Sequence, residues 1–451
     1  MKFFSDTTTV SFSPCRRIEG SIKVPGDKSI SHRSLLVGAI GRGRMEIEGL
    51  SPAVDVAASL RAVMALGCRT INSRSSLEGS EGSTSTQDFQ GLVGDGWEAL
   101  RAPAASIDAA NSGTTARILS GVLAASDVRA SVTGDESLRS RPMRRVVDPL
   151  RLMGATIRGR AVGDEVYLPL TIEGSPLTGV AHDLPVASAQ VKSALLLAGL
   201  RASGETSVSE PVRSRDHTER MLRYLGAEVV EANNRLIVKP TSLRNDRIAI
   251  PGDLSSAAFL LVAAAIIDGS DVQIVDVGLN PTRSGILDVL AMFGARVTIS
   301  DERERCGEPV GTVRVSAGDR RSVRVDGDLT VRTLDELTLV GLLGAFADGP
   351  TAVRDAAELR LKESDRISTL VDILRPMGAD IRAEPDGFTV RGTGGLRSGA
   401  DVDPKGDHRM AMLAAIAGLA ASAGPTAVRG WDCVAVSYPG FEEDLERLTV
   451  R

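Results

Sequence analysis

Lys28, Arg33, Arg117, Lys192 and Arg409 fall in the opening turns of four apolar, helix-like stretches, each led by a short loop rich in Gly, Ser or Asp. The stretches read PGDKSISHRSLLVGAI from Pro25, NSGTTARILSGVLAA from Asn111, PVASAQVKSALLLAGL from Pro185 and GDHRMAMLAAIAGLA from Gly406. A helix start exposes unpaired N–H groups and the positive end of the helix dipole, so it can receive an anion. Ser, Asp and Asn also cap helices with no ligand present, but a cap needs no Lys or Arg. The added cations suit phosphates and, through the arginine fork, carboxylates. Two carboxylate-bearing segments complete the set. Asp335 stands in LDELT, where an acid in a helix first turn is otherwise commonplace. Lys362, Glu363 and Arg366 stand in LKESDRIS, and Lys362 and Arg366, four apart, share a face if that segment is helical. Otherwise they form an exposed charge cluster.

The elements that must position these groups repeat. PGDLSSAAFLLVAAAI from Pro251 and LDELTLVGLLGAFA from Leu334 bring the loop-then-helix pattern to six copies. A second signature alternates with it, a helix ending at a glycine and followed by an extended run: MALGCRTI (Gly67), LMGATIRG (Gly154), YLGAEVVE (Gly226), MFGARVTI (Gly294) and PMGADIRA (Gly378). A degenerate sixth helix falls at Asp444 to Leu448. Self-similarity at this spacing marks a chain built from six copies of one unit. Val24-Pro25-Gly26-Asp27-Lys28-Ser29 returns as Ile250-Pro251-Gly252-Asp253-Leu254-Ser255, half a chain later. The expected division is therefore a discontinuous domain of residues 1–24 plus 251–451 and an inserted domain of residues 25–250, each of three α/β units. Stretches apolar all round, such as LLVAAAI, predict helices buried inside each domain. Residues 73–96, rich in Ser and Gly, and the charged 301–311 segment read as exposed excursions or hairpins.

Composition removes several classes. At 451 residues with 42% hydrophobic content the chain is an ordinary globular one of about two domains. No uncharged apolar run reaches the roughly 18 residues of a spanning helix, and no sustained apolar region follows Lys2, so neither a membrane protein nor a secretory signal is expected. Net charge is −5 and aromatics are 3% of residues, which leaves neither the basic field nor the stacking platforms of a nucleic-acid binder. Cys15, Cys68, Cys306 and Cys433 are scattered, and no HxxxH or HExxH occurs. No metal, no cofactor and a cytoplasmic location are the resulting expectations.

PGDKSISHRSLL, NSGTTAR, the RSRPM segment, LKESDR and GDHRMAM, in this order and over nearly the whole chain, resemble the successive signatures of the 5-enolpyruvylshikimate-3-phosphate (EPSP) synthase family. The resemblance implies a two-domain inside-out α/β barrel of six βαβαββ-type units. It implies transfer of the enolpyruvyl group of phosphoenolpyruvate to the 5-hydroxyl of shikimate 3-phosphate, with release of phosphate. The two small-molecule substrates are the only partners it implies, and a monomer is expected. In such chemistry a proton goes to the methylene carbon and one leaves the hydroxyl, through a tetrahedral intermediate, so one acid and one base are needed. Inhibition by glyphosate in the phosphoenolpyruvate pocket is implied as well.

Carried over residue by residue, the resemblance puts Lys28 between the substrates and gives shikimate 3-phosphate Ser29, Arg33, Ser188, Gln190, Arg215, Asp335 and Lys362. It gives phosphoenolpyruvate Lys28, Asn111, Gly113, Arg141, Gln190, Arg366 and Arg409. Asp335 is the expected base, and Glu363 the residue that handles the methylene proton. Lys28 is not a nucleotide P-loop lysine, because the GxxxxGK spacing is absent. Arg141 is otherwise a solvated surface arginine. Three positions depart from the family pattern: Ala189 where many members have serine, Glu358 where some have asparagine, and Val436 where some have lysine. A UDP-N-acetylglucosamine enolpyruvyl transferase would carry a cysteine between Cys68 and Cys306, and none is present. RNA terminal-phosphate cyclases need a nucleotide site and a catalytic histidine for which nothing argues, and a catalytically silent repeat scaffold would not need to keep Lys28, Asp335 and Glu363.

Overall fold

In the computed structural model, residues 8–72 and 89–451 are described. Six helices are apolar almost all round and buried: Lys28–Ile40, Gly113–Ala125, Ala189–Gly199, Leu254–Ile266, Leu337–Phe346 and His408–Ala420. In Leu254–Ile266 all thirteen residues are buried. With each large apolar side chain contributing about 1.5–3 kcal/mol on burial, these helices form the cores, and the strands lie outside them. Side chains of Asp27, Ser112, Ser188, Asp253 and Asp407 cap five of the six. Leu337–Phe346 has no side-chain cap.

A second set of helices is amphipathic: Val54–Ala65, Arg144–Leu152, His217–Tyr224, Gly285–Phe293, Arg366–Leu374 and Phe441–Leu448. Five lead into Gly67, Gly154, Gly226, Gly294 and Gly378, all with φ between 89° and 105°. That left-handed conformation is strained for residues with a Cβ, which is why these ends were legible in the sequence. The sixth instead runs from Leu448 into Thr449–Val450.

Short extra helices aside, five of the six repeats order their elements as βαβαββ, and the sixth has only Thr449–Val450 after Phe441–Leu448. Ile107–Asp108 precedes Gly113–Ala125, then come Arg129–Thr133, Arg144–Leu152, Thr156–Val162 and Glu165–Glu173. The short first strand runs parallel to Arg129–Thr133, and the other two strands continue the sheet antiparallel. The sheets of Thr206–Ser209 and of Pro350–Val353 repeat this scheme. Two sheets close the chain on itself. Thr9–Phe12 pairs with Thr426–Arg429, and Thr449–Val450 pairs with Arg17–Ile22.

Two compact units result. The first is Met1–Pro25, Pro251–Arg303 and Pro309–Arg451; the second is Gly26–Ile250 with Glu304–Glu308. The second return to the second unit, at Glu304–Glu308, was not anticipated. It is the tip of a hairpin of Arg296–Arg305 and Glu308–Ser316, turned at Cys306 and Gly307, whose φ values of 50° and 82° suit a two-residue turn. The charged segment is thus a hairpin, but Glu308 is buried rather than exposed. Of the 73–96 segment, residues 73–88 lie outside the described residues. Phe89–Asp95 is an inner strand between Arg42–Glu48 and Arg69–Asn72, not an excursion. Its two glycines, Gly91 and Gly94, hide the apolar alternation that marks a half-buried strand.

Candidate active site

In the second unit, the caps leave the expected cations available for other work. Asp27 accepts the Ile30 N–H at 2.9 Å, while Lys28 Nζ reaches Asp55 Oδ2 on the neighbouring helix at 3.0 Å. Arg33 is buried and donates from Nε to Thr218 Oγ1 at 2.7 Å, from Nη1 to the Ser29 carbonyl at 2.9 Å and from Nη2 to Ser193 Oγ at 2.8 Å. Burial draws its pKa down to about 10, with Glu219 opposing the fall, the half-buried Arg215 adding to it, and Asp27 and Glu308 opposing it again. The guanidinium therefore stays charged at neutral pH, and Arg33, Ser29 and Arg215 belong to one neighbourhood.

A second group surrounds Gly113. Arg141 Nη2 donates to Asn111 Oδ1 at 2.6 Å and Ser137 Oγ at 3.1 Å, and Asn111 Nδ2 donates to Asp135 at 2.7 Å. Arg141 is thus a partly buried strut between two loops, not a solvated surface arginine. Arg117 Nη1 donates to Gln190 Oε1 at 2.9 Å, and Gln190 Nε2 donates to Thr114 Oγ1 at 2.9 Å. A Cβ on Gly113 would lie 2.6 Å from Arg117 Nη1 and 3.6 Å from Arg141 Nη1. Gly113 is therefore what lets the Arg117 guanidinium approach the helix start, whereas Arg141 would stand in ordinary contact with a Cβ. Ser188 caps the next helix, accepting from the Val191 N–H at 3.4 Å, and its own N–H donates to Glu210 at 2.9 Å.

Lys192 departs from the anion-binding expectation. Its ammonium group is buried between Glu210 at 2.8 Å and Glu219 at 2.9 Å. Burial alone would lower its pKa, but the two carboxylates outweigh that and raise it. Lys192 holds the structure together and has no need of a ligand's charge.

In the first unit, Asp335 is the hub. Its carboxylate lies 3.8 Å from Lys362 Nζ, 3.7 Å from Arg366 Nη1 and 3.9 Å from Arg409 Nη2. These distances exceed hydrogen-bond length, so charge rather than direct donation from these cations holds the group there. Asp335 precedes the helix of Leu337–Phe346 instead of sitting in its first turn. Its carbonyl accepts from Arg409 Nη1 at 2.8 Å, and the neighbouring Glu336, almost fully buried, takes the same nitrogen at 3.3 Å.

Arg366 is the most constrained member. It is buried, with Nε on Asp407 at 2.8 Å and Nη2 on Glu363 at 2.6 Å. Nη1 is buried with no hydrogen-bond partner among the described residues. A buried guanidinium nitrogen left with a donor to give is set for an incoming acceptor such as a carboxylate. These carboxylates and the bond to Asp407 raise the pKa of Arg366 against the effect of burial.

Lys362 and Arg366 do not share a helix face. Lys362 follows a short turn at Ala357–Leu361, and the helix begins at Arg366. Asp365 starts it there by accepting the Ser368 N–H at 3.1 Å, a side-chain bond that competes with continued helix. The two cations meet through Asp335 instead. Glu358 lies 3.6 Å from Lys362, and Val436 brings an apolar side chain to the Trp431–Val436 turn.

Sequence reasoning assigned no role to Asp55, Glu336 or Asp407, although the last two sit beside Asp335 and Arg409 in the quoted motifs. The available signal for those two was their nearness in sequence to residues already assigned, Asp335 for Glu336 and Arg409 for Asp407; Asp55 had none. Among the described residues, no group of three His, Cys, Asp or Glu is placed to hold a metal and no helix is long and apolar enough to cross a membrane.

The fold is that of the enolpyruvyl transferases: the chain superposes on the enolpyruvyl transferase NikO from Streptomyces tendae with a TM-score of 0.76 at 19% identity, over 97% of this chain and 96% of that one. It superposes on EPSP synthase from Acinetobacter baumannii with a TM-score of 0.85 at 39% identity, covering 98% and 99% of the two chains. A 3-phosphoshikimate 1-carboxyvinyltransferase of Synechococcus sp. (strain JA-3-3Ab) is 46% identical over 448 residues, 98% of this chain and 97% of the relative. Residues 12–445 match the family described as EPSP synthase (3-phosphoshikimate 1-carboxyvinyltransferase), and the chain belongs to that family.

Proposed function

We propose that this chain is the transferase its family name describes, moving the enolpyruvyl group of phosphoenolpyruvate to shikimate 3-phosphate in the shikimate pathway to the aromatic amino acids. The observation that carries the residue assignment is Arg366 Nη1, a buried cationic donor without a hydrogen-bond acceptor among the described residues, on a guanidinium beside the carboxylates of Asp335, Glu363 and Asp407. Arg366 and Arg409 take the phosphoenolpyruvate carboxylate. Asp335, with Lys362 beside it, accepts the proton of the 5-hydroxyl, and Glu363 exchanges the proton of the methylene carbon. In the second unit, Ser29, Arg33, Ser188, Gln190 and Arg215 serve shikimate 3-phosphate. Asn111, Gly113 and Arg141, with Gln190, serve phosphoenolpyruvate, and Lys28 serves both substrates. Addition gives a tetrahedral intermediate, and its collapse expels phosphate and leaves the enol ether. The 1–24 plus 251–451 and 25–250 domains, and a cytoplasmic monomer, complete the reading.

Every charge in this scheme is supplied by side chains of the chain. Turnover is therefore expected to survive exhaustive chelation, measured as enolpyruvylshikimate 3-phosphate formed per enzyme. A large loss restored by a divalent ion would contradict the assignment.

Gly113→Ala tests the phosphoenolpyruvate assignment. The new methyl group would displace the Arg117 guanidinium and loosen Gln190, an overpacking that costs about 1–3 kcal/mol. Glyphosate, the longer ligand, should lose more affinity than phosphoenolpyruvate. The ratio of its inhibition constant to the phosphoenolpyruvate KM should rise several-fold or more, while KM itself rises modestly. An unchanged ratio would remove Gly113 from the pocket.

A further inference from the structure

The helix His217–Tyr224 begins without a capping side chain, although Asp216 stands at its N-cap. Asp216 is turned to Arg220 at 2.9 Å and Arg213 at 3.5 Å instead. What holds this helix start is the tip of the 296–316 hairpin. His217 Nδ1 and Glu308 Oε1 are 2.8 Å apart, with both side chains under a tenth exposed. Arg220 Nη1 donates to the Gly307 carbonyl at 3.1 Å, and a Cβ on Gly307 would lie 3.2 Å from the Arg220 carbonyl oxygen. Glu308 thus places a carboxylate at a helix N-terminus, where the dipole favours it.

The residue after His217 is the one that aims Arg33. Thr218 Oγ1 accepts from Arg33 Nε at 2.7 Å and lies 2.6 Å from Ser193 Oγ, which accepts from Arg33 Nη2 at 2.8 Å. Arg215 lies two residues before His217, in the loop that leads into this helix. A buried carboxylate and imidazole are costly to desolvate and are weak evidence for stability in themselves. Their placement next to Thr218 gives them a specific consequence. We propose that Glu308, through His217, is a positioning residue that fixes Thr218 and hence the direction of the Arg33 guanidinium, setting the affinity for the phosphorylated acceptor. The inference rests on the reading that Arg33 binds shikimate 3-phosphate.

Steady-state kinetics of Glu308→Ala, Glu308→Gln, Arg33→Met and the double variant Glu308→Ala/Arg33→Met test it. Glu308→Ala should raise the KM for shikimate 3-phosphate about tenfold, the usual cost of losing a hydrogen bond to a charged group. The KM for phosphoenolpyruvate should change less than threefold. Glu308→Gln, whose amide oxygen can still accept from the imidazole, should recover most of the loss. In the Arg33→Met background the Glu308→Ala change should have little further effect on shikimate 3-phosphate. If Arg33→Met weakens that substrate but Glu308→Ala does not, or raises both KM values alike, the positioning role is overturned. If Arg33→Met itself leaves shikimate 3-phosphate binding intact, the underlying assignment of Arg33 fails instead.

Discussion

Glu363→Gln and Asp335→Asn are each expected to lower turnover by about 10²-fold or more, with modest change in substrate affinity. Both substitutions keep the size of the side chain and one carbonyl oxygen, and both remove the group that exchanges a proton. At Glu363 the remaining oxygen can still accept from Arg366 Nη2, a bond of 2.6 Å in the wild type, so Arg366 should keep its place. At Asp335 the three surrounding cations lose the charge that holds them, and some rise in KM should accompany the fall in turnover. The pair separates by probe. Exchange of the phosphoenolpyruvate methylene hydrogens with solvent should be lost in Glu363→Gln more completely than in Asp335→Asn. Near-normal turnover in either variant would remove that residue from the chemistry.

Arg366→Met is expected to damage both folding and binding. Arg366 and Asp407 are buried together, and Asp407 also starts the helix His408–Ala420 by accepting the Arg409 N–H at 2.9 Å. Burial alone would push the Asp407 carboxyl up, but the charge and hydrogen bond of Arg366 outweigh it and hold it below the ordinary carboxylate range. Removing one partner of a buried pair costs about 3–5 kcal/mol. At about 2–4 °C per kcal/mol for a unit of this size, the Tm should fall by roughly 6–20 °C. The pH dependence has a definite sign. A carboxyl whose folded-state pKa is depressed contributes stability above its unfolded pKa of about 3.9 and loses it as pH falls through the folded value. The wild-type protein should therefore lose stability on acidification below that range more steeply than Arg366→Met. A variant with unchanged Tm and unchanged phosphoenolpyruvate KM would show that Arg366 neither holds the cluster together nor meets the substrate.

What the sequence disclosed was local chemistry. Helix starts were readable because Asp27, Ser112, Ser188, Asp253 and Asp407 act on N–H groups two or three residues away, and helix ends because Gly67, Gly154, Gly226, Gly294 and Gly378 adopt a backbone that other residues avoid. Partners far along the chain left no such trace. Lys28 meets Asp55 across 27 residues and Arg33 meets Thr218 across 185. Lys192 looked like another anion-binding cation because neither Glu210 nor Glu219 could be placed beside it without the fold. The helix face that Lys362 and Arg366 would share if their segment were helical does not form, because the capping bond of Asp365 starts the helix only at Arg366. The return of Glu304–Glu308 to the second unit depends on a two-residue turn at Cys306-Gly307, and only its glycine announces a turn.

Phosphate release with each substrate withheld in turn tests the central assignment most directly. Phosphoenolpyruvate with shikimate 3-phosphate should give phosphate and an equal amount of enolpyruvyl product, and either substrate alone should give none. Release of phosphate with UDP-N-acetylglucosamine as acceptor, and none with shikimate 3-phosphate, would contradict the account.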